Sequence, residues 1–304
     1  MEKKRLLAIA GPTASGKTKI SIEIASVCNS EIISSDSLLV YKHLDIGTAK
    51  PTKEERKAIK HHLIDIVEPW DAYTISDFRR DAMTAIEEVT SRKKGFLVTG
   101  GTGFYLNALI NSTFDAPESD KNIRKSLEDR IKNGTKLSTL YSELESIDPE
   151  TAKRVHTNDG YRIVRALEVF LSTGKTMSFF RTQHQAESKT IFDPLIIVLN
   201  PEKEELRRNI EIRTKKMFKD GLVDELKELF KTGCTPELKP LKSIGYKQAT
   251  GYLLGKITKE EAMQSVISET VALAKRQITW FKKQPFTIWL HPIREIEEIR
   301  RLSC

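Results

Sequence analysis

The octapeptide Gly11-Pro12-Thr13-Ala14-Ser15-Gly16-Lys17-Thr18 constrains this chain more than any other stretch. It satisfies G-x-x-x-x-G-K-[ST], and both flanks fit: RLLAIAG (5–11) reads as a buried strand and KTKISIEIASVC as a helix. Backbone N–H groups of such a loop wrap a phosphate, and the helix N-terminus adds partial positive charge. Lys17 adds a full charge, and the Thr18 hydroxyl is suited to Mg²⁺. Residues 11 to 18 are therefore candidates for binding a polyphosphate, with Mg²⁺ as the expected cofactor and Thr18 as its ligand. ATP or GTP is the usual occupant. The motif itself says polyphosphate and leaves open which group is transferred.

The rest of the chain repeats this strand-then-helix rhythm. SEIISSDS (30–37), GFLVTGGTG (95–103), PLIIVLN (194–200) and FTIWLHP (286–292) read as strands, with HHLIDIV (61–67) as a further one. Residues 74–92 read as a helix capped by Thr74 or Ser76, and further helices are expected over 202–231, 242–254 and 258–282. Alternation of this kind predicts an α/β fold with a parallel sheet flanked by helices, P-loop NTPase-like. The stretch from about 115 to 190 breaks the rhythm. It is helical and charged, with no strand-like run, and reads as an all-helical insertion domain over 116–190 within a core of 1–115 and 191–304.

The chain has no run of 18 apolar residues, and its basic N-terminus leads into the cradle after too short an apolar run for a signal peptide, so a cytoplasmic protein without membrane contact is expected. Cys28, Cys234 and Cys304 form no C-x-x-C pair and no zinc set, and isolated thiols are expected. Net charge is +8, and residues 201–304 carry 21 basic against 15 acidic side chains. That excess suits the phosphates of a nucleic acid, although a solvated lysine-rich surface has the same composition.

Three further places carry candidate chemistry. Asp36 ends the second strand on the edge where open α/β sheets bind ligands. There it can serve as a general base, as a partner of Mg²⁺, or as a turn former. TGGTGFYLNAL (99–109) lacks the dinucleotide glycine spacing and makes a tight turn, which either brings Thr102 to the ligand edge or is purely structural. Arg162 and Arg165 lie one turn apart, Arg213 shares a face with Asn209 and Lys216, and Lys242 and Lys247 flank Tyr246, a candidate for base stacking. Trp280 and Phe281 at helical spacing with Ile278 read as core, or as stacking platforms for RNA. His61 and His62 point to opposite faces of a strand and cannot share a metal.

Taken in order, GPTASGKT, SSDSLLVYKHLDIGTAKP, HHLIDIVEP, YTISDFRRDA, LVTGGTGFYLNAL, NDGYRIVRALEVFLSTGK, MFKDGLVDEL, IGYKQ and AKRQITWF resemble the tRNA dimethylallyltransferase family, also called isopentenyl-tRNA or IPP transferases. The resemblance spans nearly the whole chain. It implies transfer of a dimethylallyl group from dimethylallyl diphosphate to N6 of the adenosine just 3′ of the tRNA anticodon, with release of diphosphate. It also implies roles. The cradle and Lys17 hold the diphosphate, Thr13 meets the leaving oxygen, Arg213 faces Lys17, Asp36 is the base and Thr102 approaches the nucleotide. Asp36, Ser37, Leu38 and Leu39, Tyr161, Arg162, Ile163, Val164 and Arg165, and Lys242, Ser243, Ile244, Gly245, Tyr246 and Lys247 match stretches that touch tRNA. The insertion, with Arg124 near its start, would grip the anticodon stem-loop, and a monomer is expected. Leu39 stands where many members have glutamine, Gly160-Tyr161 replaces proline-glutamine, and Asn209 replaces an arginine, so that Arg213 carries its role alone or shares it with Arg207 or Arg208.

Two other functions compete. A small P-loop kinase would use the same cradle, with DFRRD as lid arginines. A non-catalytic RNA-binding protein would have no need of Asp36.

Overall fold

Strands buried on both faces must be apolar throughout, and the aliphatic runs of this chain meet that demand. The computed structural model describes residues 3–111, 120–187 and 191–303. The chain divides into two compact units, Met1–Asn111 with Thr190–Cys304, and Ser112–Lys189.

In the first unit β1 (Lys4–Ala10), β2 (Ser30–Ser34), β3 (His61–His62), β4 (Gly95–Gly100), β5 (Phe192–Leu199) and β6 (Thr287–Leu290) form one parallel sheet, ordered β3-β2-β4-β1-β5-β6. Helices α1 (Lys17–Val27), α2 (Lys53–Ala58), α3 (Ile75–Ser91) and α4 (Gly103–Asn111) lie before the second unit in sequence. That unit holds α5 (Lys121–Lys132), α6 (Leu137–Ile147), α7 (Pro149–Ala152), α8 (Gly160–Thr173) and α9 (Met177–Glu187). The first unit resumes with α10 (Lys203–Lys219), α11 (Leu222–Lys231), α12 (Tyr246–Leu253), α13 (Lys259–Phe281) and α14 (Ile296–Ser303).

Strand alternation sorts the core. Leu6, Ala8, Ala10 and Ile33 join a cluster with Phe78 and Ile86 of α3, Leu106 and Leu109 of α4, and the faces of α11 to α13. Leu7, Ile9, Ile32 and Leu97 join the opposite cluster with Ile20 and Ile24 of α1 and Ile299 of α14. The sheet is thus covered on both sides, as a P-loop NTPase-like fold requires. The second unit has its own core of Leu127, Leu140, Leu144, Ala152, Ile163, Val164 and Leu167.

Several expectations are corrected. The third strand is only two residues long, because Leu63 and Asp65 adopt positive φ; beyond it only Tyr41 and Val67 bridge. The helix expected over 202–231 is two helices, broken where Gly221 takes φ 103° and caps α11. Residues 239–242 form a 3₁₀ turn, and α12 begins only at Tyr246. At α3, Thr74 rather than Ser76 is the cap: it accepts from the Asp77 N–H while Asp77 bonds back to the Thr74 N–H. Cys234 is a buried free thiol. Cys28, by contrast, is disulfide-bonded, which corrects the expectation of isolated thiols. Cys304 lies outside the described residues.

Candidate active site

The loop after β1 turns into α1 through Gly16 in the left-handed conformation, and no side chain caps the helix. Its first N–H groups are therefore directed at the loop, the arrangement that binds anions. Lys17 Nζ donates to the carbonyls of Gly11 at 3.1 Å and Pro12 at 2.7 Å. Burial lowers the Lys17 pKa to about 8; Asp36 opposes this shift and Arg213 adds to it.

Two helices close over the loop. From α10, Arg213 donates to the Thr13 hydroxyl at 3.1 Å and to the Thr48 carbonyl at 3.3 Å, and Asn209 donates to the Ala14 carbonyl at 3.4 Å. Burial lowers the Arg213 pKa, with Asp36 again opposing. From α13, Gln277 accepts from the Thr13 N–H at 2.8 Å and donates to the Gly101 carbonyl at 2.9 Å. One carboxamide thus ties the phosphate loop to the turn after β4.

Asp36 follows β2, and its carboxylate accepts from the Leu38 N–H at 2.9 Å, an Asx turn that leaves carboxylate lone pairs for other partners. The Thr102 hydroxyl accepts from the Ser37 N–H at 3.3 Å. Thr13, Asp36, Ser37, Leu38, Thr102, Arg213, Lys242, Ser243, Ile244 and Gln277 all line one cavity of about 460 Å³, whose apolar wall includes Ile210, Met217, Val266 and Leu273. A smaller recess of about 90 Å³ is lined by Lys17, Thr18, Ser34 and Leu39, and shares Thr13, Asp36, Thr48 and Arg213 with the first. Sequence reasoning therefore assembles one site from five separate segments of the first unit.

The loop carrying Thr48 is held by buried charge. Lys50 Nζ sits between Asp45 at 2.6 Å and Asp65 at 2.5 Å and donates to the Tyr41 carbonyl, while Arg56 also pairs with Asp65. Glu225 of α11 accepts from the N–H groups of Asp45, Ile46 and Gly47 at 2.8–3.2 Å and from the Tyr246 hydroxyl at 2.6 Å. Tyr246 is fully buried, which corrects the expectation that it stacks on a base. Its ring lies where a Cβ on Gly47 would meet Cζ at 2.4 Å, so residue 47 must be glycine. Lys247 is turned to Glu269 at 2.8 Å.

The glycine turn after β4 is used for packing. A Cβ on Gly103 would fall 2.2 Å from the Trp280 ring, so α13 approaches this turn through the missing side chain. Trp280 packs edge-on against Phe281, which is fully buried; both belong to the core side of the earlier alternative. His62 pairs with Glu31 at 2.7 Å, and His61 has its Nδ1 2.7 Å from the Ile59 carbonyl. Among the described residues no group of three or more His, Cys, Asp or Glu is placed to hold a metal.

In the second unit the Arg124 guanidinium lies 4.9 Å over the ring of Tyr161, which is 66% exposed, and it also pairs with Glu128. Arg165 donates to the buried Glu168 at 2.7 Å, and Arg162 pairs with Asp159. Within the stretch 161–165, Ile163 and Val164 are core and fill the inward face of α8, so their side chains serve packing. Arg207 is turned to Glu211, so it does not share the work of Arg213 at the loop; Asn209 reaches the loop instead.

Gln277 and Glu225 were the functional side chains that sequence reasoning passed over. An uncharged polar residue among the apolar positions of α13 was the available signal for Gln277; nothing local pointed from Glu225 to a loop some 180 residues away.

The IPP transferase family model matches residues 39–284. The tRNA dimethylallyltransferase 1 of Citrifermentans bemidjiense is 42% identical over 290 residues, covering 95% of this chain and 93% of that protein. That of Clostridioides difficile is 39% identical over 303 residues, covering 99% and 96%. The crystal structure of the tRNA isopentenylpyrophosphate transferase of Bacillus halodurans aligns with a TM-score of 0.71 at 36% identity, covering 99% of this chain and 95% of that one. A eukaryotic dimethylallyltransferase crystallised acting on tRNA aligns with a TM-score of 0.81 at 29% identity, covering 98% and 77%. A phosphate loop, a facing carboxylate and a shared cavity on this fold, matched along nearly the entire chain, mean that the protein belongs to the IPP transferase family.

Proposed function

We propose that this chain transfers a dimethylallyl group from dimethylallyl diphosphate to N6 of the adenosine 3′-adjacent to the anticodon in tRNA, releasing diphosphate. The observation that carries this reading is the common cavity shared by Thr13 and Arg213 at the phosphate loop, Asp36, and Thr102. The chain's membership of a family of tRNA prenyltransferases supports it.

The residues divide the reaction between them. The loop N–H groups, Lys17 and Arg213 bind the diphosphate and stabilise the charge that grows on it as the C–O bond breaks. The Thr13 hydroxyl, already within hydrogen-bond reach of Arg213, is directed at the leaving oxygen. As N6 attacks carbon, its proton passes to the Asp36 carboxylate, and the electron pair of the broken bond leaves with diphosphate. The apolar wall of Ile210, Met217, Val266 and Leu273 shields the prenyl chain from water.

Mg²⁺ fits the oxygen donors of the small recess, Thr18, Ser34 and Asp36, which stand beside Lys17, His61 and Arg213, and its remaining ligands would be oxygens of water and diphosphate. When bound, the ion neutralises developing phosphate charge. The target base would be flipped out of its stack into the cavity. Lys242 at the cavity rim, the basic C-terminal third, and the Arg124–Tyr161 pair of the helical insertion form the proposed tRNA contacts. A cytoplasmic monomer is the working state, and no described helix is long and apolar enough to cross a membrane.

The kinase alternative is disfavoured by β4. It ends in Thr99-Gly100, and the Thr99 hydroxyl bonds to the Ile9 carbonyl, where a kinase would place a metal-binding carboxylate. The test is one sample assayed with labelled dimethylallyl diphosphate plus unmodified tRNA, and in parallel for ATP hydrolysis. Label in tRNA with little ATP turnover is expected; the reverse pattern refutes the reading.

A further inference from the structure

Ser34, the last residue of β2, is 2% exposed, yet its hydroxyl has no hydrogen-bond partner in the structure. Buried hydroxyls are nearly always paired, because an unpaired one loses its bonds to water without replacement. Its neighbours obey that rule. Thr99, beside it in the sheet, donates to the Ile9 carbonyl at 3.2 Å and accepts from Ser21 at 2.8 Å. The Ser34 side chain instead lines the small recess together with Lys17, Thr18 and Asp36. A strand end needs no hydroxyl for packing; alanine would fill the same place without the unpaired oxygen.

We propose that the Ser34 hydroxyl contributes its oxygen to the shell of the divalent cation bound with diphosphate beside Thr18. The inference deepens the Mg²⁺ reading and rests on it. Thr18, Ser34 and Asp36 offer a hard cation two hydroxyls and one carboxylate; His61, Lys17 and Arg213 also line the recess, and among the described residues no group of three or more His, Cys, Asp or Glu is placed to hold a metal. Such an ion keeps several waters and takes its remaining ligands from phosphate, so a single buried hydroxyl suffices to orient that shell.

The experiment titrates Mn²⁺ into the full-length protein saturated with inorganic diphosphate and reads free Mn²⁺ by electron paramagnetic resonance. Ser34→Ala is expected to weaken Mn²⁺ binding about tenfold, as loss of an outer-shell partner does. Diphosphate binding without metal should be unchanged, and the melting temperature of the ligand-free variant unchanged or higher, because an unpaired oxygen has been removed. Mn²⁺ affinity equal to wild type overturns the inference, as does a loss of metal-free diphosphate binding, which would make Ser34 a phosphate contact. Thr18→Ala separates the two levels. If it weakens Mn²⁺ binding while Ser34→Ala does not, the metal site stands and Ser34 is excluded. If neither variant changes it, both readings fall.

Discussion

The Tyr246 hydroxyl donates to Glu225 at 2.6 Å, and the same carboxylate gathers the N–H groups of Asp45, Ile46 and Gly47. This contact fixes the loop whose Thr48 carbonyl holds Arg213. Burial and the adjacent Glu225 carboxylate push the Tyr246 pKa far up, so the phenol stays a donor at any working pH. Tyr246→Phe leaves Glu225 one donor short and should cost about 1–3 kcal/mol in urea unfolding. Gly47→Ala should cost a similar amount, about 1–3 kcal/mol, by overpacking against the ring. Both should raise KM for the prenyl donor through a misplaced Arg213; unchanged stability and KM in both variants would dismiss the clamp.

Asp36→Ala is expected to lower turnover by about 100- to 10,000-fold, the usual share of a general base. Diphosphate should still bind, because the loop and Lys17 are intact. Single-turnover prenyl transfer and diphosphate titration on the same variant separate the two effects.

Gln277 joins Thr13 to Gly101, so Gln277→Ala frees both loops at once. A misplaced leaving-group contact should reduce kcat by about 10- to 100-fold. Gln277→Glu keeps the acceptor for Thr13, loses the donor to Gly101 and adds negative charge beside the diphosphate, so its kcat should fall further. Steady-state kinetics with saturating tRNA ranks the two.

Lys17 has a folded pKa of about 8 against an ordinary value of 10.5. At pH 9 it is mostly neutral in the free protein, and an arriving diphosphate should recharge it. Binding at pH 9 is therefore expected to take up close to one proton, read from calorimetry in buffers of different ionisation enthalpy; Lys17→Met should take up none. The stability sign follows from the same shift. Between pH 8 and 10.5 the unfolded chain holds the extra proton, so this group's contribution to stability rises with pH across that window.

Tyr161 offers an exposed ring backed by Arg124. If it stacks on tRNA, Tyr161→Ala should cost about 1–3 kcal/mol of tRNA affinity, as loss of one stacked base does. The KM for the prenyl donor should not move. Equal tRNA affinity in a filter-binding or anisotropy titration would rule the contact out.

The legibility of the molecule divides along the range of its interactions. Strands β1, β2, β4, β5 and β6 were readable, because burial on both faces demands apolar runs that nothing else in the chain mimics. The cradle and Asp36 were readable because strand ends carry ligands and the motif is local. The short third strand was not, because positive φ at Leu63 and Asp65 is set by their surroundings, Asp65 being held by Lys50 and Arg56. Tyr246 was misread for a related reason. Its lysine neighbours suggested a nucleic-acid surface, whereas its position is decided by Glu225 and Gly47, neither of them near in sequence.

The cations of the site are already engaged: Lys17 with the carbonyls of Gly11 and Pro12, Arg213 with Thr13 and Thr48. Each still has donors to spare, a third ammonium hydrogen on Lys17 and three of the five guanidinium hydrogens on Arg213, so an anion can be received while the protein contacts are kept. The loop carbonyls, Thr13 and Thr48 thus act as moorings that hold both charges in position before the ligand arrives.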